Sequence, residues 1–180
     1  MNVMIFNASP RPGGNSDWLS DELVKKYNTE ELKYYQLREL NFGNCHGCTN
    51  CKTGDGFCEV EDDLKPVFQE ILDSDLIVFI SPNYYAQITG LGKTFLDRWA
   101  CLRKRKGIPQ FRPEQKMFFI MPQGSSNRSH GEPANEWAKR LFTMFGLKYY
   151  GMVIPGCASQ SRDGIRLKLD DIKMSLNMFP

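Results

Sequence analysis

Five short apolar segments, each followed by a segment with helical spacing, constrain the fold more than any other feature of this chain. The strongest is Leu76–Ile80, an unbroken run rich in β-branched side chains, as expected of a strand that is buried on both faces. The other four strand predictions are Asn2 to Asn7, Leu32 to Leu37, Met117 to Met121 and Tyr149 to Ile154. Strands that alternate with helices predict an α/β fold with a parallel sheet between two layers of helices.

The segments between the strands carry apolar residues at helical spacing. The clearest helix contains Leu64, Val67, Phe68, Ile71 and Leu72, and the others are marked by Leu19 to Tyr27, Gly90 to Leu102, Trp137 to Phe145 and Ile165 to Leu176. Right-handed crossovers bring every loop that follows a strand to one edge of the sheet, where ligands of such folds bind. The candidate site loops are therefore 8–15, 38–61, 81–89, 121–132 and 155–163.

Length and charge narrow the class of protein. A chain of 180 residues with 41% hydrophobic residues predicts a single domain, 1–180, with a packed core. The formal net charge of +2 gives no broad surface for nucleic acid, which we exclude as a partner. The basic run Arg103 to Lys106 follows a predicted helix, so it is first interpreted as a solvated helix end that complements the helix dipole. A site for an anionic substrate or nucleotide is the alternative.

No apolar stretch approaches the roughly 20 residues that span a bilayer, so no membrane partner is expected. Met1 to Phe6 lacks the basic segment of a signal peptide, and we expect a cytoplasmic protein. Four of the six cysteines fall between Cys45 and Cys58. In a reducing compartment such clusters bind metal more often than they form disulfides.

The loop after the first strand, Ser9 to Ser16, has the composition of a phosphate site. Its glycines allow a tight turn and expose N–H groups, and the start of the next helix adds oriented donors and the positive end of its dipole. An ordinary turn with a polar helix cap would explain the same residues. The candidate phosphate contacts are Ser9, Arg11, Gly14, Asn15 and Ser16.

The loop after the third strand, Ser81 to Tyr85, suits the edge of a flat ring system. Pro82 stiffens the turn, Asn83 can form hydrogen bonds, and Tyr84 and Tyr85 can stack on a ring or flank it. A turn capped by core aromatic residues is the alternative. Because this loop and the phosphate loop share one edge of the sheet, together they predict a phosphate-bearing cofactor with a flat ring.

These motifs resemble the NADPH-dependent FMN reductase family of the flavodoxin-like superfamily. The resemblance covers essentially the whole chain and rests on Ser9-Pro-Arg11 with Gly14-Asn15-Ser16, on Ser74-Asp75, on Pro82-x-Tyr84, and on Gly90, Lys93 and Asp97-Arg98. It implies a three-layer, doubly wound, five-stranded parallel sheet of order 2-1-3-4-5. It also implies FMN as the cofactor and NAD(P)H as the electron donor.

The resemblance further assigns parts of the cofactor to parts of the chain. The first motif would bind the FMN phosphate and ribityl chain, and Pro82-x-Tyr84 would contact the flavin ring. Gln123 and Gly124, in the turn after the fourth strand, would close over the pyrimidine side of that ring. The helix from Gly90 to Arg98 often forms a subunit interface in this family, which implies a homodimer or homotetramer.

The segment 38–61 contains the sharpest local pattern, Cys45-x2-Cys48-x2-Cys51-x6-Cys58. Closely spaced thiolates on a flexible loop, here with Gly47, Gly54 and Gly56, can ligate one cubane cluster. The spacing resembles that of iron–sulfur flavoproteins, a branch of the same family with a [4Fe–4S] cluster. A zinc site and vacant or redox-active thiols are the alternatives. The segment is longer than a connector requires, which favours a functional role.

Three functional hypotheses follow. In the first, the chain is an enzyme in which NAD(P)H reduces FMN, and the electrons then pass to a quinone, a free flavin or another small acceptor. In the second, it is an iron–sulfur flavoprotein that carries electrons between FMN and a cluster to a redox protein partner. In the third, which is the least favoured, it binds flavin without turnover. FMN itself supplies the chemistry, so no catalytic side chain is predicted.

Outside these sites, we expect Cys101 and Cys157 to be buried and His46 and His130 to lie in surface loops.

Overall fold

A computed structural model of the chain describes residues 1–27, 31–53, 57–103, 110–158 and 161–179. Its strands form one parallel sheet, with the spatial order β2-β1-β3-β4-β5. The strands are β1 (Val3–Asn7), β2 (Leu32–Gln36), β3 (Leu76–Ile80), β4 (Lys116–Pro122) and β5 (Lys148–Ile154). The predicted fold class and strand order are confirmed.

The helices lie on both faces of this sheet. They are α1 (Asn15–Lys26), α2 (Lys65–Asp73), α3 (Gly90–Arg98), α4 (Glu132–Met144), α5 (Asp163–Arg166) and α6 (Leu169–Met178). Two predictions were wrong in detail: the helix expected over Gly90 to Leu102 tightens to a 3₁₀ turn after Arg98, and the closing helix is interrupted between α5 and α6. Within the described ranges, no helix is both long and apolar enough to cross a membrane.

Every residue of β1 and β3 is buried, because these central strands are covered on both faces. Alternate side chains enter two separate cores. One core lies under α2, α3 and α4 and is rich in aromatic residues, among them Phe6, Phe79, Phe95, Trp99 and Phe142. The other lies under α1, α5 and α6 and is mostly aliphatic. The sheet edge between these layers is where the loops after β1, β3 and β4 meet.

Helix α3 lies unusually close to the sheet. A Cβ atom on Gly92 would come within 3.1 Å of Ala8 Cβ and 3.2 Å of a ring carbon of Phe79. The hydroxyl of Thr89 caps this helix by accepting from the Gly92 N–H, at 3.0 Å, and it donates to the Ala8 carbonyl at 2.7 Å. Thr89 therefore fixes the loop after β3 against the loop after β1.

Candidate functional site

A cleft of about 240 Å³ opens at the carboxyl edge of the sheet, where the strand order reverses between β1 and β3. Four successive loops contribute to it, those that follow β1, β3, β4 and β5. In open α/β sheets this position is the usual ligand site. The lining residues are Ser9, Arg11, Asn15, Ser16, Pro82, Asn83, Tyr84, Pro122, Gln123, Gly124 and Cys157.

The structure brings all of the predicted cofactor residues except Gly14 and Tyr85 to this cleft. Gly14 lies directly before α1, beneath the side chain of Arg11, whose Nε would be 3.4 Å from a Cβ at that position. Tyr85 instead lines a second, adjoining cleft. Sequence reasoning missed Pro122, the last residue of β4, and Cys157. That these residues contact a cofactor remains a prediction.

The loop after β1 has the backbone of an anion site. Gly13 has a φ of 64°, which glycine adopts without strain, and Gly14 leaves the first turn of α1 without a side-chain cap. The hydroxyl of Ser9 accepts from the Arg11 N–H at 3.3 Å and donates to the Arg11 carbonyl at 3.1 Å. Uncapped N–H groups at a helix start are donors for an anionic ligand, and Arg11 supplies an exposed positive charge beside them.

An acidic residue, Asp17, holds this loop in shape. Its carboxylate accepts from the Gly13 N–H at 2.7 Å and from the Asn7 side-chain amide at 2.6 Å. The Asn7 amide oxygen in turn accepts from the Ser9 N–H at 2.9 Å. Both ends of the loop are therefore tied to one carboxylate and to the end of β1.

Arg38, which follows β2, balances the charge of Asp17 with two hydrogen bonds, at 2.9 and 3.1 Å. Both side chains are largely buried. Sequence reasoning missed Asn7, Asp17 and Arg38. An available signal was the acidic residue at the start of the helix, since a carboxylate beside a phosphate loop requires a cation to balance it.

Gln123 is the corresponding anchor for the loop after β4. Its side chain is buried, donates to the carbonyls of Ser125 and Asn127 at 3.0 and 2.7 Å, and accepts from the Asn83 amide at 3.2 Å. Its carbonyl accepts from the Cys157 N–H at 2.8 Å. Burial raises the pKa of the Cys157 thiol to about 11, so this group is a neutral wall of the cleft at pH 7. The prediction that Cys157 is buried is confirmed.

Two amide oxygens in the cleft are buried and have no hydrogen-bond partner among the described residues, Asn15 Oδ1 and Asn83 Oδ1. The nitrogen of each amide is already used: that of Asn15 donates to the Ala158 carbonyl at 2.9 Å, and that of Asn83 donates to Gln123. An unsatisfied buried acceptor costs about 1–3 kcal/mol. The residues therefore fit a ligand that brings hydroxyl or N–H donors as well as an anionic group, as FMN does.

The cysteine segment has a different geometry from the one predicted for a metal site. Cys45 and Cys48 are exposed, whereas Cys51 and Cys58 are half-buried against the aromatic core. Among the described residues, no three or more His, Cys, Asp or Glu side chains are grouped as metal ligands. Within the described ranges, the structure therefore does not group the four cysteines as ligands of one metal site.

Arg98 holds the two ends of the cysteine segment, residues 38–61, close together. Its side chain is fully buried, forms a two-pronged ion pair with Asp62, and donates to the Gly43 carbonyl at 3.1 Å. Burial opposes the charge on Asp62, but the hydrogen bonds from Arg98 and from the Leu64 and Gly43 N–H groups outweigh it, and the pKa of Asp62 lies below its usual value.

The remaining sequence predictions concern isolated residues. Cys101 is buried as expected, and burial raises the pKa of its thiol to about 12. His46 and His130 are exposed, also as expected. Gly54 and Gly56, together with most of the basic run at 103–106, lie outside the described residues.

A doubly wound parallel sheet of order 2-1-3-4-5, with a cofactor-type cleft at its switch point, defines a flavodoxin-like protein. Residues 1–158 match the NADPH-dependent FMN reductase family, and the chain belongs to that family. It is an oxidoreductase whose cofactor is FMN and whose electron donor is NAD(P)H.

The chain is similar to YwqN of Bacillus subtilis, whose name describes an NAD(P)H-dependent FMN-containing oxidoreductase. The two are 25% identical over 160 residues, which cover 86% of this chain and 84% of YwqN. An iron–sulfur flavoprotein of Clostridioides difficile is 30% identical over 102 residues, 54% of this chain and 45% of that protein. The fold is also that of an NAD(P)H:quinone oxidoreductase from Methanothermobacter marburgensis, with a TM-score of 0.72, 16% identity, and coverage of 96% of this chain and 92% of that one.

Proposed function

We propose that this chain binds FMN in the cleft after β1 and transfers electrons from NAD(P)H to a small acceptor of the quinone class. The observation that carries the proposal is the cleft itself, which combines an anion-type loop at one end with two unpartnered amide oxygens, Asn15 Oδ1 and Asn83 Oδ1. The names of YwqN and of the quinone oxidoreductase from Methanothermobacter marburgensis support the same reaction class.

The roles of the residues follow from their positions. Ser9, Arg11 and Ser16 would hold the phosphate, while Asn83, Gln123 and Gly124 would orient the ring and Tyr84 and Pro82 would flank it. The bound FMN supplies hydride chemistry. The described lining of the cleft contains no carboxylate, histidine or lysine, and the Cys157 thiol is protonated at pH 7, so the side chains bind and orient rather than transfer protons.

Replacing Arg11 with alanine is expected to weaken FMN binding by about 1–3 kcal/mol, because a charged hydrogen bond to phosphate is lost. Quenching of flavin fluorescence during titration of the apoprotein measures the dissociation constant. Arg128→Ala is the matched control, since Arg128 is exposed, pairs with Glu132 and does not line the cleft. An unchanged dissociation constant for Arg11→Ala would remove Arg11 from the phosphate site.

The reaction itself is tested anaerobically with the FMN-loaded protein. We expect NADPH or NADH to bleach the flavin absorbance, and a quinone added afterwards to restore it. Protein that takes up no FMN, or whose flavin stays oxidised with both nucleotides, would contradict the proposed function.

The iron–sulfur carrier remains the second candidate. It is favoured by the spacing of Cys45, Cys48, Cys51 and Cys58 and by relatives named as iron–sulfur flavoproteins, although the chain spans only about half the length of those relatives. We expect iron and acid-labile sulfide after anaerobic reconstitution if this candidate holds, with Cys48→Ser abolishing both. Flavin without iron or sulfide would leave the reductase, and zinc in their place would support the zinc alternative.

The remaining expectations belong to the same proposal. Residues 1–180 would form a single FMN-binding domain that acts in the cytoplasm as a homodimer or homotetramer, with neither nucleic acid nor membrane as partner. Sedimentation equilibrium of the FMN-loaded protein measures the oligomeric state, and a monomer at micromolar concentration would contradict that part.

A further inference from the structure

A second cleft, of about 490 Å³, adjoins the first and shares Asn83, Gln123 and Gly124 with it. It lies between the loops after β3 and β4, on the side away from the phosphate loop. Its described lining contains no lysine, arginine, aspartate or glutamate. The residues that it does not share with the first cleft are Tyr85, Ala86, Ser125, Ser129, His130 and Pro133.

A strained turn forms one wall of this cleft. Reciprocal backbone hydrogen bonds between Tyr84 and Gln87, at 2.7 and 3.1 Å, close a two-residue turn whose central residues are Tyr85 and Ala86. Their φ angles are 51° and 61°, and two-residue turns with this conformation usually contain Asn-Gly. Two adjacent non-glycine residues in this region are rare and unfavourable.

Packing does not explain why an aromatic residue occupies this position. The relative exposure of Tyr85 is 105%, so its ring gains no burial from the strained backbone. Backbone strain of this kind occurs mainly at active sites and ligand sites, where the surrounding structure holds the strained residue in its functional position. The hydrogen-bonded ends of the turn and the bond from Asn83 to the His130 carbonyl, at 3.2 Å, provide that support.

We propose that the second cleft receives the uncharged flat ring that exchanges electrons with the flavin, and that Tyr85 is its aromatic wall. This inference rests on the proposed function, because it requires FMN in the first cleft. Tyr85 and Pro133 offer apolar surfaces to a ring, while His130 and Ser125 carry protons that can be donated to its carbonyl oxygens. The ring can come from either of two sources, a quinone or the nicotinamide of NAD(P)H.

The absence of charged side chains from the described lining separates this cleft from a nucleotide phosphate site. The phosphates of NAD(P)H would need cations, so only its nicotinamide ring fits between these walls. A quinone carries no charge and fits entirely.

Tyr85→Asn tests the inference, because asparagine tolerates positive φ but lacks the aromatic ring. We expect FMN affinity to be unchanged and Tm to be equal or higher by about 2–4 °C, since backbone strain is reduced. Stopped-flow measurements on the FMN-loaded protein follow flavin reduction by NADPH and reoxidation by benzoquinone separately. We expect the second-order rate constant of at least one arm to fall roughly tenfold, since a stacking wall is lost.

Two further variants make the result specific. Tyr85→Phe keeps the ring and should restore most of the rate. Met174→Asn, at an exposed apolar position on α6, controls for the loss of a surface hydrophobic residue and should leave both arms as in the wild type.

The outcomes are distinct. A loss confined to the benzoquinone arm assigns the cleft to the acceptor, a loss confined to the NADPH arm assigns it to nicotinamide, and a loss in both shows that the two rings use it in turn. Unchanged rates in both arms overturn the inference, as does a matching loss of FMN affinity, which would make Tyr85 a cofactor contact. Unchanged rates with a changed oligomeric state would make Tyr85 an interface residue instead. Wild-type protein that binds no FMN contradicts the proposed function rather than this inference.

Discussion

Replacing Asp17 with alanine is expected to weaken FMN binding by about 3 kcal/mol, roughly 100-fold, although Asp17 does not line the cleft. The carboxylate accepts hydrogen bonds that hold both ends of the phosphate loop, directly at Gly13 and through Asn7 at Ser9. Without it, the loop must be ordered by the ligand, and that ordering lowers the affinity.

Asp17→Ala also has an effect that favours tighter FMN binding, because removing a negative charge near a phosphate reduces repulsion. Asp17→Ala leaves the cation of Arg38 near the phosphate, but it also removes the acceptor of the Gly13 and Asn7 hydrogen bonds that order the loop before the ligand binds. We therefore expect the loss of preorganisation to dominate. Tighter FMN binding by Asp17→Ala would contradict this prediction.

Riboflavin distinguishes a local effect on the phosphate loop from general damage to the fold, since it has the same ring but no phosphate. Asp17→Ala should weaken FMN binding much more than riboflavin binding, both measured by fluorescence titration. Asp21→Ala is the matched control, an exposed carboxylate in the same helix. Equal losses for the two ligands would mean that Asp17 supports the whole cleft rather than the phosphate loop.

Replacing Asp62 with alanine should lower the free energy of unfolding by about 3–5 kcal/mol. The reason is that the buried guanidinium of Arg98 loses its carboxylate partner. For a chain of this length the expected fall in Tm is on the order of 10 °C. Removing both charges, as in Asp62→Leu with Arg98→Met, should cost less than Asp62→Ala alone. Asp97→Ala is the control, since Asp97 pairs with Lys93 on the exposed side of the same helix and such pairs contribute little.

The same ion pair predicts a pH dependence. The folded pKa of Asp62 is lowered, so its contribution to the free energy of unfolding is complete above the unfolded aspartate value of about 3.9 and is lost as the pH falls through the folded pKa. The difference in free energy of unfolding between wild type and Asp62→Asn should therefore be constant near neutral pH and should shrink in acid. Urea titrations across this range measure it, and a difference that stays constant into strong acid would contradict the assignment.

The sheet could be predicted because its signals are local. A buried parallel strand requires a short, unbroken apolar run, and Leu76–Ile80 is such a run, rich in β-branched side chains. Once the strands were assigned as parallel, chain geometry placed the loops around Ser9 and Pro82 at one edge, and the cleft lies there.

Helix α4 shows where periodicity is ambiguous. The large residues that marked it in the sequence, Trp137 and Phe145, are only half-buried, whereas Ala134 and Ala138 are fully buried against the sheet. Both sets have helical spacing, and small side chains face the sheet because the helix packs closely. Pattern alone predicts that a helix forms but does not determine its rotation about its axis.

Other features could not be predicted because they depend on long-range or backbone detail. The pairing of Asp17 with Arg38 joins two different βα units, and the left-handed turn at Tyr85-Ala86 has none of the residues that favour such turns. The acidic start of the helix indicates that a cation is needed but not that Arg38 supplies it, and the turn has no local signature. Each is also part of a proposed ligand site, where local preferences most often give way to function.

The two ends of the cysteine segment lie side by side, so the chain leaves the domain and returns to it at nearly one point. The N–H of Asp63 donates to the Asn41 carbonyl at 3.2 Å, and Arg98 bridges Gly43 and Asp62 just inside. Because both ends of this segment are held together, a change in its length costs little closure entropy and leaves the strands that hold the cleft in place. Relatives could thus gain, lose or replace the chemistry of this segment while the domain beneath it stays the same.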